Sequence, residues 1–73
     1  MKLKRHRDPG LMAAIHAVGT LTELSIKLEI TVQSVAGWHR IPPLRVIQVE
    51  RATGVPRTVL RPDIYPVDDR AMV

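Results

Sequence analysis

The sequence predicts an all-α domain, and three observations predict it. Between Thr20 and Arg40 the chain reads TLTELSIKLEITVQSVAGWHR, two short amphipathic segments, each preceded by a threonine that can cap a helix. Upstream, Asp8-Pro9 is followed by Leu11, Ile15 and Val18 at helical spacing. Glycine and proline fall at the ends of these apolar-periodic runs, as at Gly19, Pro42-Pro43 and Gly54.

Size and composition set the frame. With 73 residues there is room for one modest core, and such small domains bury only about 60% of the unfolded chain's surface. There is no cysteine, so disulfides and thiolate-bound zinc cannot add stability, and dimerisation is the remaining common route. Aromatics are 3% of the chain, so Leu, Ile and Val must do the packing. A net charge of +4 favours a polyanionic partner, although a merely soluble basic protein has the same balance. No apolar run approaches the roughly 20 residues that span a membrane, and no signal-peptide core follows the basic start. The expectation is a cytoplasmic protein with no membrane partner.

Residues 1–7, MKLKRHR, form a basic arm. Lys4, Arg5 and Arg7 can follow phosphates or enter a minor groove, or simply belong to a solvated terminus. Asp8 is an N-cap with proline at the first helical position, and Gly19 ends this first helix because it tolerates positive φ. His16 has no partner at metal-binding spacing and reads as an ordinary histidine. In the second helix Thr20 and Glu23 have capping-box spacing, and Leu21, Leu24 and Leu28 make one apolar stripe. The third helix is expected over residues 31–40. Thr31 would cap it, Ile30 and Val35 have hydrophobic-staple spacing, and Val35 and Trp38 face inward. Val32, Gln33, Ala36, Gly37 and Arg40 are left for the outside. Two helices this short, joined by a tight turn, suit a helix-turn-helix whose second helix enters a DNA groove.

Ile41-Pro42-Pro43 ends that helix and starts a fourth. Leu44, Val46, Ile47 and Val49 give it a broad apolar side. Arg45 lies in its first turn, beside the end of the third helix, and Arg51 lies in its last turn, where it complements the helix dipole. Val55 to Leu60 reads as one helical turn, with Val59 and Leu60 closing the core, ended by Arg61-Pro62. Residues 63–73 read as an extended tail.

The run TELSIKLEITVQSVAGWHR followed by IPPLRVIQVERATGVPRTVLRPDIYP resembles the small Cro-like and YdaS-type helix-turn-helix repressors of phages and prophages. The likeness extends over roughly Leu11 to Pro66, and IPPLRV, IQVERATG and LRPDIYP are its more specific part. It implies a five-helix, lambda-repressor-like domain over residues 8–62 that binds DNA, commonly as a dimer; some such proteins act as antitoxins. In Cro-like relatives the C-terminal segment can mediate dimerisation, which marks Ile64 and Tyr65 as contacts to a second copy or, equally, to their own monomer. Four positions depart from the pattern. Ser25 stands where Ala is usual, Ile26 where a basic residue is frequent, Glu29 at a turn position that usually holds Gly, and Gly37 in place of a longer polar residue. A non-glycine residue in a left-handed turn costs about 1 kcal/mol.

The leading functional expectation is sequence-selective binding of double-stranded DNA by a homodimeric repressor. Gln33 can pair with adenine through its amide, Val32 can touch a thymine methyl, and Gly37 lies on the same base-facing surface without a contact of its own. Thr20, Thr22, Ser34, Arg40 and Arg45 are the candidate phosphate contacts. The competing expectation is a protein-interaction module or antitoxin, using the smooth surface of Val32, Ala36 and Gly37 near Ile26. No phosphate-cradling loop, metal-spaced cluster or activated nucleophile is recognisable, so neither an enzyme nor a cofactor is expected.

Overall fold

The computed structural model describes residues 7–66; Lys4, Arg5 and the chain beyond Pro66, for which an arm contact and an extended tail are expected, lie outside the described residues. Five helices follow one another: α1 (Pro9–Val18), α2 (Leu21–Leu28), α3 (Val32–Ala36), α4 (Val46–Thr53) and α5 (Arg57–Leu60), with a 3-10 turn at Pro43–Arg45 before α4. No strand occurs among the described residues.

The helix ends follow the local chemistry. The Asp8 carboxylate accepts from the Gly10 amide at 3.1 Å, and Pro9 fills the first helical position. At its other end α1 closes on Gly19, at φ 112°, whose N–H donates to the Ile15 carbonyl. The Thr20 hydroxyl accepts from the Glu23 amide at 3.1 Å, and Thr31 accepts from Ser34 at the same distance. α2 ends on Glu29, which adopts the left-handed conformation (φ 60°, ψ 41°) expected of that turn, although it carries a side chain. α4 ends on Gly54 at φ 80°.

One core unites the helices. Leu11 and Ala14 of α1, Leu24 and Leu28 of α2, Val35 of α3, Val46 and Val49 of α4 and Leu60 of α5 are buried together with Ile41. α1 and α2 meet at 85°. Ser25 is buried in α2, and its hydroxyl donates to the Thr22 carbonyl at 2.7 Å, so the departure from alanine leaves no unpaired group. Gly10 lies where α1 meets α5: a Cβ there would stand 2.0 Å from the Leu60 carbonyl oxygen, a separation no packing tolerates.

Four expectations need correction. The third helix ends at Ala36, short of Arg40; the Gly37 and Trp38 amides close it onto the Gln33 and Val35 carbonyls. Trp38 still packs half-buried against the core, but from the following segment. Leu44 is 97% exposed, because the two prolines set up a 3-10 turn, whose tighter winding breaks the register of an α-helical face. Val59 is 47% exposed, since the four residues of α5 turn only Leu60 fully inward. Finally, Asp63 to Tyr65 is not extended. The Ile64 and Tyr65 amides both return to the Arg61 carbonyl, and Tyr65 packs against the core with the Arg57 guanidinium 5.6 Å from its ring centroid. No single helix is long and apolar enough to cross a membrane among the described residues.

Candidate nucleic-acid interface

The α2–α3 pair is fixed from several directions. Leu24, Leu28 and Val35 bury their side chains, the Glu29 turn reverses the chain, and Thr20 and Thr31 satisfy the first-turn amides. What remains outside is Gln33, Ser34 and Ala36 of α3 and its C-cap Gly37, all exposed, with Val32 half-buried at their edge. Gln33 has the amide and the reach to contact a base edge. The Ser34 hydroxyl is paired with that of Thr31 at 2.9 Å, an exposed contact easily exchanged. Thr20 and Thr22 are exposed at the start of α2. Gly37 has right-handed helical angles, φ −79° and ψ −9°, and a Cβ there would meet only ordinary contacts at 3.5 Å and beyond. Nothing in the backbone requires glycine there, so the surface is bare because of the residue and not because of the fold.

The basic candidates separate into two groups. The sequence places Arg40 at a helix end, reaching outward. It lies instead beyond α3 with its guanidinium 3.7 Å from Asp8 and 3.8 Å from Asp63. Arg7, counted with the arm, turns back and donates to the Ala36 carbonyl at 3.4 Å, while the neighbouring Asp8 amide donates to the His39 carbonyl at 2.9 Å. Behind them Arg61 is buried. Its Nε and Nη2 donate to the two Asp63 oxygens at 2.9 and 2.6 Å, and Nη1 donates to the Ile41 carbonyl. The hydrogen bond from Arg61 leads the causes that hold the Asp63 carboxyl down at about 2, with the Arg40 charge a smaller contribution in the same direction. The same pairing raises the Arg61 guanidinium.

Arg45 belongs to the other group. It closes the 3-10 turn ahead of α4 and is linked through Gln48 to the end of α2. Its Nη1 donates to Gln48 Oε1 at 2.7 Å, and Gln48 Nε2 donates to the Leu28 carbonyl at 2.9 Å. Of the remaining candidates, Ile64 is 41% exposed and Tyr65 is half-buried in its own monomer.

Three functional or architectural residues escape a reading of the sequence alone. Gln48 stands three places after Arg45, a spacing at which helical side chains meet, but its second partner, Leu28, is twenty residues away. Asp63 follows Arg61 closely enough to suggest a pair, yet the Ile41 carbonyl that buries Arg61 is equally remote. Gly10, masked by its place next to a helix start, has no local signal.

These features define a small all-helical protein in which a short helix pair, capped at both helix starts, exposes Gln33 and Ser34, with Arg45 linked to it through a neutral amide. The chain belongs to the family described as bacterial toxin YdaS, which it matches over residues 11–68. No curated protein and no solved structure matches it.

Proposed function

We propose that this chain is a cytoplasmic, sequence-selective double-stranded DNA-binding regulator, a Cro-like transcriptional repressor in which α2 and α3 act as a helix-turn-helix. The observation that carries the reading is the α2–α3 pair itself. Its turn is set by a left-handed residue, both helix starts are capped by threonine, and the outer side of α3 presents Gln33 and Ser34 and no acidic side chain. The +4 charge gives the same sign of preference.

In this reading α3 lies in the major groove. Gln33 pairs with adenine, Val32 lies against a thymine methyl, and Gly37 allows close approach without a contact of its own. Thr20, Thr22, Ser34 and Arg45 hold phosphates. Arg40 joins them by leaving two carboxylates at 3.7 and 3.8 Å; it is 48% exposed, and surface pairs of that kind hold weakly. A five-residue α3 offers few readers, so a homodimer on half-sites about 34 Å apart supplies the second set of contacts. Occupying a promoter in this way excludes polymerase.

A second reading is a protein-interaction module that neutralises, or acts as, a toxin. It is favoured by the exposed Ile26 (61%) and Leu44 (97%) and by the family's description. Fluorescence-anisotropy titrations of duplexes from the region upstream of the gene, over a salt series, separate the two. Repression predicts tight binding to one duplex with a steep negative log–log salt slope, made unselective by Gln33→Ala. Weak binding, equal for every duplex, rejects it in favour of the protein partner.

A further inference from the structure

We infer that Gln48 is a positioning residue that holds the Arg45 guanidinium ready for a DNA phosphate through an uncharged contact; the inference rests on the DNA-binding reading above. The geometry of the Gln48 amide is determined from both sides. The Leu28 carbonyl can only accept, so the Gln48 nitrogen faces it at 2.9 Å. The oxygen is thereby turned to Arg45, whose guanidinium can only donate, at 2.7 Å. Leu28 is the last residue of α2, where helix carbonyls lack intrahelical partners. One amide therefore ties α4 to the end of α2 and orients Arg45 beside the α2–α3 turn.

The neutrality of this anchor matters as much as its position. Arg57 and Arg61 are paired with carboxylates at 3.0 and 2.6 Å, and Arg40 lies more loosely at 3.7 and 3.8 Å from two others. Among the described residues no carboxylate lies within ion-pair distance of Arg45. A guanidinium carries five N–H donors, and Gln48 takes one of them. Arg45 thus keeps its charge and most of its donors, while its long side chain is ordered before any ligand arrives, which lowers the entropy lost on binding.

The test compares the native protein with Arg45→Ala, Gln48→Met and the double variant, all titrated with a short duplex of mixed sequence over a salt series. Methionine keeps the volume of glutamine and loses both hydrogen bonds. Arg45→Ala is expected to weaken binding about tenfold at low salt and to reduce the log–log slope by about 0.9. Gln48→Met is expected to weaken binding about fourfold, and in its background Arg45→Ala costs less than about threefold, because the two residues act as one unit. Gln48→Glu supplies an acceptor but adds the missing negative charge, so its salt slope falls to that of Arg45→Ala. Thermal melts establish that each variant is folded. Additive effects, or native binding by Gln48→Met, overturn the positioning role while leaving the DNA reading intact. Absence of salt-steep binding by the native protein overturns both.

Discussion

Arginines stand on both sides of the exposed α3 surface, and the protein treats them in opposite ways. Beyond the C-terminal end of α3, Arg40 and Arg61 sit among Asp8 and Asp63, and Arg7 spends a donor on the Ala36 carbonyl. That cluster ties the start of α1, the segment after α3 and the turn after α5 to one another. Beside the α2–α3 turn, Arg45 is held by a neutral amide. The same side chain is a structural tie where carboxylates surround it and a free positive charge where an amide does. Net charge alone, +4 for the whole chain, does not distinguish them; the partner of each arginine does.

If the contrast is right, changes at buried Arg61 and its partners act on stability, and changes at Arg45 and Gln48 act on binding. The largest effect is expected from Gly10→Ala, next to the Asp8 cap. Its methyl group would meet the Leu60 backbone at 2.0 Å, and the thermal midpoint is expected to fall by more than about 15 °C or folding to fail. Arg61→Met removes three hydrogen bonds from a buried position, and a drop of roughly 5–15 °C is expected by calorimetry. A native-like midpoint would erase the distinction between the two sides.

Acid sharpens the comparison further. The Asp63 carboxyl titrates at about 2 in the folded protein, below its ordinary 3.8. A folded value below the unfolded one means stability that is complete above the ordinary value and is lost as pH falls from there toward about 2. Asp63→Asn is therefore expected to be less stable near neutrality and to show a flatter acid limb in pH-dependent melts. The smallest effect belongs to the amide side. Glu29→Gly relieves a left-handed residue at φ 60° but frees the unfolded chain, so a net gain of about 1 kcal/mol or less is expected in chemical denaturation. It also removes a carboxylate from the turn that Gln48 anchors, and duplex binding at low salt is expected to rise.

Much of this architecture was legible in the sequence where the cause is local. Asp8, Thr20 and Thr31 cap the helices they precede, and Gly19 and Gly54 close theirs at positive φ, whereas the left-handed turn at Glu29 was implied by the family resemblance alone. Leu24, Leu28 and Val35 are buried as their spacing required. The errors share a cause. Periodicity assigns a face only while the helix continues, and α3 stops at Ala36, the Pro42-Pro43 pair winds Leu44 outward in a 3-10 turn, and α5 is a single turn. For the candidate site, Gln33 and Ser34 were legible as exposed positions. The states of Arg40 and Arg45 were not, because Asp8, Asp63 and the Gln48–Leu28 link reach them through the folded chain.

The close seating of Gly10 on Leu60 also bears on how the domain is made. α1 emerges early in synthesis, but the surface it rests on is supplied by α5, some fifty residues later in the chain. Until residues 57–61 have left the ribosome, Leu11 and Ala14 lack part of their cover, and the Ile41 carbonyl lacks the Arg61 donor. Full burial of α1 therefore depends on a contact that closes a loop of some fifty residues, whose entropic cost precedes its reward. A nascent or clipped chain lacking α5 would be left with an open apolar face, the form that proteases and chaperones recognise.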